Sequence, residues 1–449
     1  MRTDNSQHSG LGFHYFPDDA HYGEKDLAAW LPELSAMGVA WLTLAGSLAR
    51  AIPESFIKGL IANGIEPIVH LPAAPVRSLD QDVVGTLMRA YASWGVRYVV
   101  VFAEPNSRQA WTPADWGKTG LIERFADILL PCLRTAADAG LVPVFPPLAP
   151  GGDYWDTAFL DATLIALTRR GEIDLLRQTA FAAYLWTFNR PLECGHGGAT
   201  RWRDAQPYLT PPGCEDQRGF HLFDWYDEIV RARLGVSRPI LCLAGGARLG
   251  DDCDPRFPAM DEARHTSCNL QIASAAVRGA LPEYVLNISF WLLAADARSS
   301  VAGQAAYCAD GTTLPFVPAL KQLAFEHQLV RPKMMTATQP AIPKAGPKPV
   351  YHYVLMPVFE WGISEWHWNA TFDYVRAFRP ALGFSPNEAA LARYVTIVGN
   401  EQGVPSNVEQ SLKNAGCVVD RVAGKDGDET RAKLSDMARR NQRFQNGVG

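Results

Sequence analysis

Nowhere in this chain do apolar residues run uninterrupted for the ~20 positions that a membrane-crossing helix needs, so no transmembrane span is expected. The N-terminal stretch Met1-Arg2-Thr3-Asp4-Asn5-Ser6-Gln7-His8 is polar and lacks the apolar core of a secretory signal. As written, the chain is expected in the cytoplasm unless an export signal has been removed or lies elsewhere. Basic charge is not in excess either: 42 Lys and Arg stand against 47 Asp and Glu, a formal net charge of −5. Nucleic acid and anionic membrane are therefore not expected as partners, since both usually meet a basic patch. The eight cysteines form no CxxC pair, and His14, His70 and His196 are scattered without a helix-spaced pair, so no metal site is expected. Cys132, Cys242 and Cys417 sit in apolar segments and read as buried thiols, whereas Cys194, Cys214 and Cys253 fall in loops, where a disulfide needs an oxidising compartment. A glycine-rich phosphate loop is missing as well. Phe16-Pro17-Asp18-Asp19 follows the first strand, which disfavours a doubly wound nucleotide-binding sheet, and no cofactor is expected.

What the 449 residues do contain is the composition of an ordinary globular protein, 47% hydrophobic and 20% charged, long enough for one large and one small domain. From residue 11 to 330, short apolar runs alternate with longer amphipathic patterns. Strands are predicted at 12–16, 41–44, 67–71, 98–102, 142–145, 180–185, 239–243 and 285–292, and helices at 27–37, 54–63, 81–94, 121–139 and 224–234. Gly38, Gly64, Gly95, Gly140 and Gly235 follow those helices, where a left-handed cap is required. Eight such units predict an α/β fold, a closed (β/α)8 TIM barrel. Residues 331–349, rich in Pro, Lys and Ala, read as a linker or strap, and 350–440 as a small C-terminal α/β domain. In that domain strands are predicted at 351–359, 394–398 and 418–422, and helices at 370–378 and 407–415. Val398-Gly399-Asn400 and Ala423-Gly424-Lys425 are read as plain turns in preference to a nucleotide site.

Chemistry is expected at the C-terminal ends of the barrel strands. Val99-Val100-Val101-Phe102-Ala103-Glu104-Pro105-Asn106 delivers one carboxylate, Glu104, to such an end, with Pro105 restricting the turn. His14 and Tyr15 end the first strand, His70 the third, and Tyr184 and Trp186 the sixth, so all are candidates for the same mouth, with Asn106 beside Glu104. Trp111 either walls a groove or pins the loop after Glu104. Asp153 and Tyr154 lie in the loop after the fifth strand. The segment from Asn189 to Gly219 is an insertion after the sixth strand, long enough to be a lid or binding element, with a Gly195-His196-Gly197-Gly198 centre that is mobile unless pinned.

With these strands placed, residues 11–330 resemble the clan of retaining β-glycosidases built on (β/α)8 barrels. In that clan an Asn-Glu-Pro ending strand four supplies the acid/base, and a Glu ending strand seven is the nucleophile. Glu104-Pro105 matches the first motif, with Ala103 in place of Asn. Gly245-Gly246 resembles the tail of a Glu-Gly-Gly motif, with Ala244 where the nucleophile belongs. Trp291 resembles the aromatic that floors the sugar subsite. The resemblance implies an oligosaccharide or polysaccharide partner. It leaves the sugar, the linkage and the oligomeric state open. The tail, Tyr394-Val395-Thr396-Ile397-Val398-Gly399 with Val419-Asp420-Arg421-Val422-Ala423-Gly424, is similar to a bacterial cell-wall-binding repeat.

Ala244 divides the functional expectation. A retaining mechanism needs two carboxyl groups about 5–5.5 Å apart, and a methyl group supplies neither attack nor protonation. One expectation is a pseudo-enzyme that binds a glycan or acts as a scaffold. Another is an inverting enzyme, with Asp251, Asp252, Asp153 or Asp156 activating water across about 6.5–9.5 Å. A deliberate Glu→Ala substitution accounts for Ala244 but not for Ala103.

Overall fold

The computed structural model describes residues 9–327, 329, 348–357, 365–401 and 403–445. The chain divides into two compact units, residues 1–332 and 333–449. Most of the 331–349 segment, the end of the run predicted at 351–359 and the N-terminal octapeptide lie outside the described residues.

The first unit is a (β/α)8 barrel. Its strands are β1 (Leu11–His14), β2 (Trp41–Ala45), β3 (Glu66–Leu71), β4 (Tyr98–Val101), β5 (Val144–Phe145), β6 (Ala180–Trp186), β7 (Ile240–Gly246) and β8 (Val285–Phe290). All pair in parallel, in the order β4-β3-β2-β1-β8-β7-β6-β5. A parallel bridge between Tyr98 and Val142 brings the two ends together and closes the ring. The glycines predicted to cap the helices do so with positive φ, from 66° at Gly38 to 97° at Gly95.

Strand alternation sorts the side chains into two cores. Leu11, Phe13, Leu42, Val69, Val99, Phe181 and Ile288 face the helices, and the helix Leu121–Asp138 answers with Phe125, Leu129, Cys132, Leu133 and Ala136 at helical spacing. Trp41, Ile68, Tyr98, Val100, Ala182, Leu241 and Leu243 fill the barrel interior. Above them a polar layer is satisfied internally. Thr43 Oγ1 donates to Ser289 Oγ (3.1 Å), and Asn287 Nδ2 reaches Ser289 Oγ (2.9 Å) and the Cys242 carbonyl (2.8 Å). Gly12 lies in this layer because a Cβ there would come within 2.8 Å of the Trp41 carbonyl oxygen.

The second unit is a four-stranded parallel sheet, β9 (Val350–Leu355), β10 (Ala381–Gly383), β11 (Ala392–Val398) and β12 (Val418–Val422), ordered β10-β9-β11-β12. Helices Glu365–Phe378, Ser406–Asn414 and Gly427–Arg439 complete this small α/β domain. β10 and the last helix have no counterpart in the sequence reading. The glycine turns are internally bonded: Gly399 N donates to the Val422 carbonyl (2.9 Å) and Gly424 N to Thr430 Oγ1 (2.8 Å). Asp426, Asp428 and Glu429 crowd the start of the last helix, a charge that opposes phosphate binding there. Among the described residues no helix is long and apolar enough to cross a membrane.

Candidate functional site

The chain leaves β4 through two non-glycine residues in the left-handed region, Phe102 (φ 72°) and Glu104 (φ 49°). Such a conformation costs on the order of 1–3 kcal/mol per residue and persists only where the surroundings hold it. Here Phe102 N donates to the Leu71 carbonyl (2.9 Å), and His70 Nε2 donates to the Phe102 carbonyl (3.0 Å). Glu104 N donates to the Pro147 carbonyl (2.9 Å), and the Glu104 carbonyl accepts from Ser107 N (2.8 Å). The bend sets a half-buried Glu104 at the mouth.

Burial raises the Glu104 carboxyl above the ordinary range, and the Arg248 guanidinium pulls it partly back. Tyr184 is the neighbour whose hydroxyl feels the Glu104 charge. Its ring stacks on Trp186, with centroids 5.8 Å apart and planes 23° apart. Trp186 meets Trp291 edge-on at 6.0 Å, and Trp291 meets His14 at 4.7 Å. Arg248 closes the ring, its guanidinium 4.6 Å from the centroid of the Trp186 indole. Trp291 Nε1 is held by Gln304 Oε1 at 2.7 Å. Beneath this wall, His14 and His70 are buried, and a charge on His70 would oppose protonation of His14. Burial lowers them to about 3 and about 4, so both are neutral imidazoles, and His14 Nδ1 has no hydrogen-bond partner.

Ala244 is 1% exposed. A register shift between Ala183 and Tyr184 skips Leu243, so Ala244 pairs with Tyr184 and Trp186 with Gly246. Paired residues of parallel strands share a face, which sets the Ala244 methyl on the same side as Tyr184.

Several residues expected at the mouth are committed elsewhere. Tyr15 is fully buried on the opposite face of β1 from His14, among Tyr22, Trp30 and Phe56, because adjacent strand residues point to opposite sides. Asn106 is fully buried and acts as a clamp, donating to the Ala149 and Tyr154 carbonyls (both 2.9 Å) and accepting from Ala149 N (2.8 Å). Trp111 pins the loop: it is buried, Nε1 donates to the Pro105 carbonyl (2.7 Å), and Arg124 lies over its ring. Asp153 accepts from Arg108 N (2.8 Å), and Tyr154 packs edge-on against Phe159. Asp156 is buried, accepts from Gly151 N, Gln217 and Tyr226, and is pushed by burial to about 6. Asp251 is paired with Arg248 at 3.1 Å, while Asp252 is exposed. Arg248 itself escaped the sequence reading, its one signal being a lone cation three residues beyond Gly245.

The 189–219 insertion is pinned. Arg190, 8% exposed, joins Asp216 and Asp254 at 2.8 Å each, with Arg218 and Arg256 on their outer edges. Burial alone would raise Asp216, but Arg218 and Arg190 hold it near 2. Gly195 and Gly197 are tied to Glu215 and Asp224 through their amides. Replacing Arg190 by Met leaves two buried carboxylates short of a cation, and a loss of about 3 kcal/mol is expected in urea denaturation. An unchanged midpoint would show that Arg218 and Arg256 suffice. All eight cysteines, the loop cysteines among them, are free thiols.

No family model matches the sequence, and no curated protein matches it. Among solved structures, the barrel is similar to a family 39 glycoside hydrolase from Bacteroides cellulosilyticus, 9% identical, with 72% of this chain covering 65% of that one at a TM-score of 0.49. This chain therefore spans just under two thirds of that protein. A GH128 endo-β-1,3-glucanase from Sorangium cellulosum is 15% identical over 69% of this chain and 97% of its own (TM-score 0.42). A family 51 α-L-arabinofuranosidase from Bifidobacterium longum is 11% identical over 70% and 72% (TM-score 0.41).

Proposed function

We propose that the barrel mouth binds a saccharide, with Glu104 as proton donor, and that the position on β7 where a nucleophile would stand carries only the Ala244 methyl. The observation that carries this reading is a carboxyl kept protonation-prone by burial beside the stacked Tyr184 and Trp186. Flat rings with polar edges bind the apolar faces of a pyranose while their surroundings meet its hydroxyls, and Trp291 extends the wall. The neutral His14 and His70 beneath offer hydrogen bonds without charge.

Proton delivery alone does not cleave a glycoside quickly. The leaving oxygen can be protonated by Glu104, yet no carboxylate attacks the anomeric carbon from β7, so covalent catalysis is lost. Asp251, Asp153 and Asp156 are each engaged by the partners described above, which weighs against a relocated base at those positions. The reading is therefore of a glycan-binding barrel with a disabled retaining site.

Titration with β-linked glucan, xylan and galactan oligosaccharides, followed by calorimetry and tryptophan fluorescence, tests it. At least one should bind, and Trp291→Ala, which removes a half-buried ring of the wall, should weaken it by about tenfold or more, since a stacked ring contributes on the order of 1.4 kcal/mol. Failure of every saccharide to bind, or an affinity indifferent to Trp291, would sink the proposal.

A further inference from the structure

The insertion after β6 and the helix Leu222–Leu234 that follows it bring three ligating side chains together at a point the barrel mouth does not use. Ligand atoms of His196, His221 and Asp224 all lie within 4.8 Å of one another. We propose that these three residues bind one divalent transition-metal ion, Zn²⁺ in the first instance, and that the ion ties the insertion to the barrel.

The two imidazole rings stand nearly perpendicular with centroids 4.6 Å apart. Two imidazoles sharing an ion at Zn–N distances of about 2.0–2.1 Å have centroids roughly 5 Å apart, so little movement is required. His221 Nδ1 faces Asp224 Oδ2 at 3.3 Å, and among the described residues this carboxylate is the one group that buried nitrogen meets. An imidazole nitrogen and a carboxylate oxygen held at that separation can share one ion with bonds of about 2.0–2.2 Å. The carboxylate is already oriented by outer contacts: Gly197 N donates to Oδ2 (2.9 Å) and Tyr284 Oη to Oδ1 (3.2 Å). Two imidazoles and one carboxylate suit Zn²⁺, Co²⁺ or Ni²⁺ better than Ca²⁺ or Mg²⁺, which prefer all-oxygen sites. Three protein ligands leave a position for water, and His221 also lines a cavity of about 520 Å³ with Leu192, Phe220 and Ser267.

One contact opposes the ion. Arg201 Nη1 lies 3.1 Å from His196 Nδ1, and it must yield for that ring to turn or for a second positive charge to enter. Arg201 is exposed and stacks on Trp202, so it can swing to solvent. The expectation from sequence that no metal site exists followed from weighing His196 against His14 and His70. The partner it meets is His221, three residues before Asp224 on one helical turn.

The 449-residue chain, stripped with EDTA, is titrated with Zn²⁺ by calorimetry and with Co²⁺ by visible absorption. One equivalent should bind, and the thermal midpoint should rise because the ion favours the folded state. His196→Ala, an exposed change that spares the core, should weaken binding on the order of 100-fold, given that loss of even outer contacts costs 10- to 100-fold. Arg201→Ala should tighten it. Absence of binding, an affinity unchanged in His196→Ala, or a Co²⁺ spectrum dominated by thiolate charge transfer would each overturn the assignment, the last because the free cysteines would then be the ligands.

Discussion

Sodium azide added to the unaltered protein with an activated aryl glycoside is expected to release the aryl alcohol and form a glycosyl azide, where the protein alone shows negligible turnover. The small anion need only reach the anomeric carbon from the side that Ala244 leaves without a carboxylate, while an activated leaving group lessens the demand on Glu104. Ala244→Glu is the covalent counterpart. Its carboxyl would start from the strand position paired with Tyr184, whose hydroxyl feels the charge of Glu104, so the two carboxyls would face one site. If they come within about 5–5.5 Å, hydrolysis with retention should rise by roughly 10³-fold or more over the unaltered chain. Adding Glu104→Gln should return it to baseline with a poor leaving group. Position 244 is 1% exposed, so a charged side chain there tests folding as well as chemistry, and the azide experiment avoids that ambiguity. Silence in both experiments would remove the disabled-glycosidase reading. Glu104-dependent hydrolysis by the unaltered chain would instead reveal a second carboxylate, with Asp252 the first to replace by Asn.

Acid should unfold the barrel well above the range in which carboxylates ordinarily titrate. Burial lowers His14 to about 3 and His70 and His265 to about 4, against about 6.5 in an unfolded chain. Below pH 6.5 the unfolded state therefore binds protons that the folded barrel refuses, and stability falls as pH falls until the folded values are reached. At pH 5 each histidine costs about 2 kcal/mol relative to neutral pH, roughly 6 kcal/mol for the three. Asp156 acts in the opposite direction. Its carboxyl, raised by burial to about 6, takes up a proton in the folded state first and returns about 1.4 kcal/mol at pH 5. The net loss, between about 4 and 5 kcal/mol, is a large part of the 5–15 kcal/mol typical of a folded domain. Urea midpoints at pH 7.5, 6 and 5 check this, and His265→Gln, which acts among the helices against Phe316, should flatten the net slope by roughly two fifths, about 2 of the 4–5 kcal/mol. A midpoint constant between pH 7.5 and 5 would show that the imidazoles are protonated in place.

The alternation of apolar runs with amphipathic segments, each stopped by glycine, was sufficient to read a (β/α)8 barrel, because strand and helix periods are local properties of the chain. So was the delivery of Glu104 to a strand end, since a valine run followed by Glu-Pro is a local signal. The short β10, beside Pro380, and the charged final helix were not read, as neither has a strong apolar period. The faces of neighbouring residues were decided by registration against other strands. His14 and Tyr15 are adjacent in sequence, yet one enters the barrel and the other the helix layer. Strict alternation from Leu241 and Leu243 would turn Ala244 outward, and only the shift against β6 pairs it with Tyr184. Arg248 beside Glu104, Arg190 between two aspartates, and His196 against His221 and Asp224 join residues that are distant along the chain. Sequence by itself thus determined the kind of fold and one carboxylate at its mouth. Tertiary structure decided which side chains share that mouth, because contacts between distant residues are set by registration and packing that no local pattern encodes.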